Sequence, residues 1–175
     1  MRFILLFFFF GIFTSNAQQH CGYDFSSFLV LHIHEDGKQE NISGLKVTLI
    51  DFFGNELVNT GNKYSWTDRD KVMQFYENYK IDSNGRKAEN TSSDEKLRWF
   101  FPYAKATYII SITNDFPIEG MRAKIEDISE NPLYQTQIIN LYAFNMYVLC
   151  TTQSKAQQFG ARVNKPVNVV LKRRV

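Results

Sequence analysis

His32 and His34 are the residues of this sequence whose types and spacing most directly suggest chemistry. They stand two positions apart in a segment that alternates apolar and polar residues, and side chains at i and i+2 of a β-strand lie on the same face. Two imidazoles on one face can share a metal ion, and Glu35, Asp36 or His20 could supply another ligand. Zinc needs three or four ligands, and the pattern fixes only two. A solvent-facing polar strand surface is therefore the simpler interpretation.

Aromatic residues form the second group of candidates. Trp66, Trp99 and Tyr103 lie in or beside segments with strand or turn character. Exposed rings of this kind stack on sugars or anchor a partner. The run Trp99-Phe100-Phe101 must place at least one ring inside, so most of the cluster is expected to belong to the core. Trp99 or Tyr103 is the ring more readily left exposed.

Other catalytic patterns are missing from the sequence. It contains no Gly-x-Ser-x-Gly elbow and no glycine-rich phosphate loop. Glu126 and Asp127 are adjacent in a strand pattern and would point to opposite faces, so they cannot flank one glycosidic bond. We therefore expect a protein that is not an enzyme and has no cofactor.

The first residues predict an export signal. Arg2 precedes an apolar run of 11 residues from Phe3 to Phe13, and small residues lead to Ala17. A membrane-spanning helix needs about 20 apolar residues, whereas this pattern fits a cleaved signal peptide, residues 1–17. We expect a secreted or periplasmic protein of the cell envelope, without stable membrane insertion after cleavage.

The remaining chain is nearly neutral. Removing 17 of the 175 residues leaves 158, which suits one domain, residues 18–175. This domain has 19 Lys and Arg against 18 Asp and Glu, because Arg2 is the only charged residue of the signal. The balance argues against a nucleic-acid-binding protein and against an electrostatic membrane binder. We expect an unknown protein or glycan as the partner.

Two cysteines, Cys21 and Cys150, follow the predicted cleavage site. An exported chain with two cysteines favours one disulfide bond. Such a bond would close a loop of about 130 residues and contribute roughly 4–5 kcal/mol in the chain-entropy treatment. Two free buried thiols are the alternative.

Alternation of apolar and polar residues predicts short β-strands along most of the chain. The run 136–151 is long enough to break into two strands or to carry a bulge. The predicted strands are 28–34, 45–51, 108–113, 121–125, 136–151 and 167–171. With turn residues between them, they predict a mostly β chain folded as an antiparallel Ig-like β-sandwich, with at most one short helix.

Two segments lack this clear strand pattern. Between 68 and 79, apolar residues recur at helical spacing but also fit a ragged strand: Val72, Phe75, Tyr76 and Tyr79. Residues 80–96 are polar without an apolar period, and they predict a mobile surface loop.

Residues 42–51, followed by Gly54-Asn55, combine a glycine, an alternating strand and an aspartate before a glycine turn. Phe101-Pro102 then leads to the strand that begins at Thr107-Tyr108, and Trp66-Thr67-Asp68 lies between the two motifs. Over residues 42–113 these features resemble the carboxypeptidase regulatory-like, or transthyretin-like, domain family. The resemblance implies a small Ig-like sandwich that serves as a spacer or ligand-binding module and has no catalytic residues.

These patterns lead to one main hypothesis and two alternatives. The first is an exported, non-enzymatic module that binds or spaces at the cell envelope or in the extracellular space. The second is a carbohydrate-binding module that uses Trp66, Trp99 and Tyr103. The third and least favoured is a metal-dependent hydrolase centred on His32 and His34.

Overall fold

The structure is a computed structural model that describes residues 26–81, 98–99, 106–113, 115–148 and 166–174. The predicted signal peptide and residues 82–96 of the predicted loop lie outside these ranges. Cys21 and Cys150 also lie outside them, so the disulfide stays a prediction.

The described residues form ten β-strands, two short 3-10 turns and no α-helix, which confirms the prediction of a mostly β chain. The ambiguous segment 68–79 contains a strand at its centre instead of a helix. The strands are β1 (Ser26–Glu35), β2 (Leu45–Ile50), β3 (Gln74–Glu77), β4 (Lys80–Ile81), β5 (Arg98–Trp99), β6 (Tyr108–Thr113), β7 (Arg122–Asp127), β8 (Gln137–Asn140), β9 (Tyr147–Val148) and β10 (Val167–Leu171). The 3-10 turns are Thr60–Asn62 and Ala143–Asn145.

Seven strands follow one another in a single mixed sheet, in the order β10-β1-β6-β3-β2-β7-β8. The short strand β9 also pairs with the start of β1, and β4 pairs with β5 in a separate ribbon. The pair β1–β10 is parallel, with Leu31 opposite Val167 and Glu35 opposite Leu171. The other described strand pairs are antiparallel.

The two ends of this sheet, β8 and β10, come close together. Just before β8, Tyr134 forms an antiparallel bridge with Arg173. The side chain of Gln137 donates to the carbonyl of Val170 at 3.2 Å and accepts from the amide of Lys172 at 2.8 Å. The sheet is therefore nearly barrel-shaped. The predicted Ig-like sandwich is not confirmed, because the described strands follow one continuous path and include a parallel pair.

The main core lies on the concave side of the curved sheet. Leu29, Leu31 and Ile33 of β1 are fully buried there, on the face predicted from their alternation. They belong to one cluster with buried residues of β2 such as Val47 and Leu49. A fully buried side chain of this size contributes about 1.5–3 kcal/mol relative to an exposed one. The main core therefore fixes which face of each strand points inward. The other face of β1 is also partly covered, where Val30 is buried opposite Ile109 of β6.

Tyr108 at the start of β6 fixes the entry of the chain into β2. Its ring is buried, and its hydroxyl donates to the carbonyl of Ile42 and accepts from the amide of Leu45, both at 2.9 Å. Burial raises the pKa of the Tyr108 hydroxyl. A buried hydroxyl with both bonds satisfied anchors this loop at a defined position.

Two carboxylates hold the loops where the sheet nearly closes. Glu35 accepts hydrogen bonds from Lys38 at 2.7 Å, from the Tyr134 hydroxyl and from Arg173 at 2.8 Å. These bonds, led by Lys38, lower the pKa of Glu35 to about 2. Asp127 accepts bonds from Ser129 and from the backbone that follows, and these lower its pKa to about 2.

We predict that acid weakens the fold through these two groups. Both carboxyls have pKa values below their ordinary 4.5 and 3.8, so the stabilisation they give is complete above those values. It is lost as the pH falls from about 4.5 through about 2. Urea unfolding from pH 7 to pH 2 should show a falling midpoint in this window. The variant Glu35→Gln/Asp127→Asn should be less stable at pH 7 and should show a flatter pH profile.

Glu130→Gln is the matched control, because it neutralises an exposed carboxylate in the adjacent loop. It should follow the wild-type profile. Parallel pH profiles for the wild type and the double variant would contradict the assignment of the acid sensitivity to Glu35 and Asp127.

Candidate binding surface

Several loops meet at one end of the sheet. Ile50 at the end of β2, Arg122 at the start of β7 and Asn140 at the end of β8 stand side by side in register. The loops 51–55 and 141–146 therefore emerge together, about two strand spacings (~10 Å) apart. β6 also ends here, because β2 and β6 both run antiparallel to β3, which lies between them.

The loop 59–71 joins the same end. The amide of Thr113, the last residue of β6, donates to the carbonyl of Tyr64 at 2.8 Å. The Tyr64 ring packs edge-on against Phe116, with ring centroids 5.5 Å apart. These contacts place the loop 59–71 beside the end of β6.

Exposed aromatic side chains are concentrated in these loops. Six tyrosine, phenylalanine and tryptophan residues are exposed in the part of the chain that the structure describes, and five of them lie in these loops. The sixth, Tyr76, lies on β3, and its hydroxyl donates to Asp68 of the loop 59–71 at 2.9 Å. We call this end of the sheet the aromatic end; its five rings are Phe52, Phe53, Trp66, Tyr142 and Phe144. The opposite end has exposed aliphatic side chains, Ile128 and Leu133, near the ion pair of Glu35 and Arg173. The two ends therefore differ in chemistry.

The turn 51–55 is held by the side chain of Asp51. One carboxylate oxygen accepts from the amides of Phe53 at 2.8 Å and Asn55 at 2.9 Å. The other accepts from the Asn55 side chain at 3.0 Å, and these bonds lower the pKa of Asp51. Gly54 has φ of +91°, a conformation that side chains disfavour, and its amide donates to the Asp51 carbonyl. The turn is fixed by its own hydrogen bonds.

This turn presents two phenylalanine rings to solvent. Phe52 is 71% exposed and Phe53 is 87% exposed. Their rings lie 6.0 Å apart and nearly perpendicular, at 84°. Arg122 supports them from β7, since its guanidinium donates to the carbonyls of Asp51 and Phe52 and lies 5.4 Å from the centre of the Phe52 ring. The backbone that carries the two rings is therefore fixed, and the Phe52 ring rests against Arg122.

Trp66 is held by a buried asparagine. The Asn59 side chain donates to the carbonyls of Ser65 at 2.9 Å and Thr67 at 2.7 Å, on either side of Trp66. Its oxygen accepts from the amides of Tyr64 at 2.9 Å and Ser65 at 3.1 Å. All four side-chain hydrogen bonds that an asparagine can make are formed, so this loop presents Trp66 from a defined backbone.

Tyr142 and Phe144 form the third aromatic group. Their rings are stacked 5.5 Å apart at an angle of 10°. The two-residue spacing of Tyr142, Phe144 and Met146 would place all three on one face if the run 136–151 were a continuous strand, but residues 142–146 do not form a strand. A 3-10 turn at Ala143–Asn145 intervenes, which exposes the two rings and buries Met146.

His32 and His34 lie on the same face of β1, as their spacing predicted, with ring centroids 5.0 Å apart. His34 is buried, contrary to a solvent-facing interpretation, and its ring nitrogens contact the Glu35 carbonyl at 2.7 Å and the Asn168 side chain at 2.8 Å. His32 contacts the carbonyl of Gln39 at 3.1 Å. No group of three His, Cys, Asp or Glu that could hold a metal occurs among the described residues. Metal binding by this pair stays a prediction.

Of the three aromatic residues predicted to bind a ligand, the structure places Trp66 at the aromatic end. Trp99 belongs to β5, where its backbone pairs with Lys80, and its side chain is outside the described part. Tyr103 also lies outside it. Sequence reasoning missed Phe52 and Phe53, although two phenylalanines beside a Gly-Asn turn signal outward-facing rings.

Comparison of the chain with protein-family models, with curated proteins and with solved structures gives no match. Within the ranges that the structure describes, no helix is long and apolar enough to cross a membrane.

Proposed function

We propose that this protein is an exported, non-enzymatic binding module of the cell envelope or extracellular space, and that it binds its partner with the aromatic end. The observation that carries the proposal is the concentration of exposed rings on loops at one end of a rigid sheet. Binding residues are commonly presented on loops by such a scaffold. Exposed apolar side chains that cluster mark interaction sites.

Preorganisation of the loops supports a binding role. Asp51 fixes the turn that carries Phe52 and Phe53, and Asn59 fixes the loop that carries Trp66. Loops whose backbone is fixed before binding lose little conformational entropy when a partner arrives. The resemblance of residues 42–113 to transthyretin-like domains agrees with this role, because that family includes ligand-binding modules.

The alternative of a carbohydrate-binding module is less well supported. A flat sugar ring stacks best on aromatic faces that lie open in one plane. Phe52 and Phe53 are perpendicular to each other, and Tyr142 and Phe144 stack mainly on one another. Trp66 is the remaining exposed ring of the aromatic end. The hydrolase alternative rests on two histidines, and three of their four ring nitrogens already contact protein atoms.

An NMR titration tests the proposed binding surface. The protein without its predicted signal, residues 18–175, is labelled with ¹⁵N and titrated with short-chain dihexanoylphosphatidylcholine and with cello-, xylo- and chito-oligosaccharides. We expect at least one probe to shift amide signals in 51–55, 61–69 and 141–145. Signals of His32 and His34 should stay unchanged.

Phe52→Ser/Phe53→Ser should reduce these shifts, whereas Ile128→Ser/Leu133→Ser at the opposite end should preserve them. Absence of shifts with every probe would overturn the proposal. Shifts centred on the histidines or on the opposite end would also overturn it.

A further inference from the structure

Much of the polar backbone of the turn 51–55 is already bonded within the protein. The amides of Phe53 and Asn55 bond to the Asp51 carboxylate, and the amide of Gly54 bonds to the Asp51 carbonyl. The carbonyls of Asp51 and Phe52 accept from Arg122. An apolar phase offers no replacement for lost water hydrogen bonds. The carbonyls of Phe53 and Gly54 have no partner among the described residues, so the backbone of the turn stays at the hydrated edge of such a phase and only its side chains enter.

The charged side chains near this turn are held by hydrogen bonds or ion pairs within the protein, although Arg122 contacts carbonyls and no carboxylate. The Asp51 carboxylate accepts three hydrogen bonds from the turn, and Arg122 is held against two carbonyls. Glu56, just after the turn, is paired with Lys46 at 3.5 Å. The outermost residues, Phe52 and Phe53, carry no charge. The tip therefore matches an uncharged, apolar partner.

The geometry of the two rings favours a layer of mobile lipid chains over a partner with a rigid, flat face. Two perpendicular rings on a projecting turn do not form the flat face on which a sugar stacks. A layer of lipid chains adapts to any ring orientation. Trp66 and Tyr142 are exposed on other loops of the aromatic end, and tryptophan and tyrosine are the residue types enriched where membranes meet water.

We infer that the partner of the aromatic end is a lipid surface, and that the turn 51–55 inserts Phe52 and Phe53 into its outer apolar layer. This inference rests on the proposed function and names its partner. Two rings reach only a short way into the layer, so the contact is reversible and differs from stable insertion. Since apolar burial drives it, binding should depend weakly on anionic lipid and on salt.

Vesicle sedimentation tests the inference with residues 18–175 of the chain. The protein is mixed with phosphatidylcholine vesicles, with and without phosphatidylglycerol, at about 0.1 and 0.5 M salt, where screening of charges differs strongly. Phe52→Ser/Phe53→Ser should lower the partition coefficient about tenfold or more, because two large apolar side chains are lost. Ile128→Ser/Leu133→Ser removes exposed apolar side chains from the opposite end and should change it less than about twofold.

A fluorescence measurement locates the contact. In a Trp99→Phe background, Trp66 is the single tryptophan, and its emission should shift to the blue and be quenched by brominated phosphatidylcholine. Amide spectra confirm that each variant is folded. Equal loss in both double variants, or binding only to anionic vesicles at low salt, would overturn the inference.

The outcomes separate this inference from the proposed function. No vesicle binding together with oligosaccharide-induced shifts at the aromatic end would overturn the lipid inference and leave the binding module in place. No vesicle binding and no shift with any soluble probe would overturn both.

Discussion

Val169→Asn is expected to lower the free energy of unfolding by about 3–5 kcal/mol, the sum of lost apolar burial and an unpaired buried amide. Val169 is 4% exposed and belongs to the main core, opposite Ile33 of β1. The neighbouring Val170 is 39% exposed and faces away from that core. Val170→Asn should therefore change stability by less than about 1 kcal/mol. Urea unfolding of both variants measures the difference.

The pair of variants tests the register of the parallel strand β10 directly. Shifting a strand by one residue turns every side chain to the other face, so a slipped register would exchange the two effects. Asparagine is used because it adds no charge beside His34, the partner of Val170 across the strands. Similar losses for Val169→Asn and Val170→Asn would contradict the described closure of the sheet.

Most strands could be predicted from the sequence because their alternation reflects burial of one face. Residues 108–113 and 167–171 form strands with the predicted bounds, and 45–51 is a strand to Ile50. The run 136–151 breaks as expected, into β8 and β9. In each case the two-residue period is a local property of the chain.

The closure of the sheet could not be predicted in this way. It depends on the parallel pairing of β1 with β10 and on the bridge between Tyr134 and Arg173, which join segments far apart in the sequence. Local alternation fixes which side chains face the core but carries no information on strand order. A sandwich and a curved, nearly closed sheet therefore share the same local pattern.

The candidate site was only partly visible in the sequence for a related reason. Trp66 stood out by residue type, whereas the exposure of Phe52 and Phe53 depends on the hydrogen bonds that Asp51 and Arg122 make in the folded chain. A phenylalanine is more often buried than exposed, so composition alone assigns such rings to the core. Their role becomes apparent only once the neighbouring loops are placed at one end.

Asn59→Ala is expected to destabilise the protein by about 3–5 kcal/mol, because it leaves two carbonyls and two amides of buried or partly buried backbone without partners. Asn59 is fully buried, and its side chain forms four hydrogen bonds to the backbone of residues 64–67. Asn62→Gly is the matched control. Asn62 has φ of +63°, which glycine adopts freely, so the free energy of unfolding of this variant should change by less than about 1 kcal/mol. Urea unfolding measures both, and a loss below about 1 kcal/mol for Asn59→Ala would contradict the structural role given to Asn59.

Because Asn59 also positions the backbone on both sides of Trp66, the folded fraction of this variant should lose the lipid-induced blue shift of Trp66. It should keep the contact made by Phe52 and Phe53, whose turn is fixed separately by Asp51.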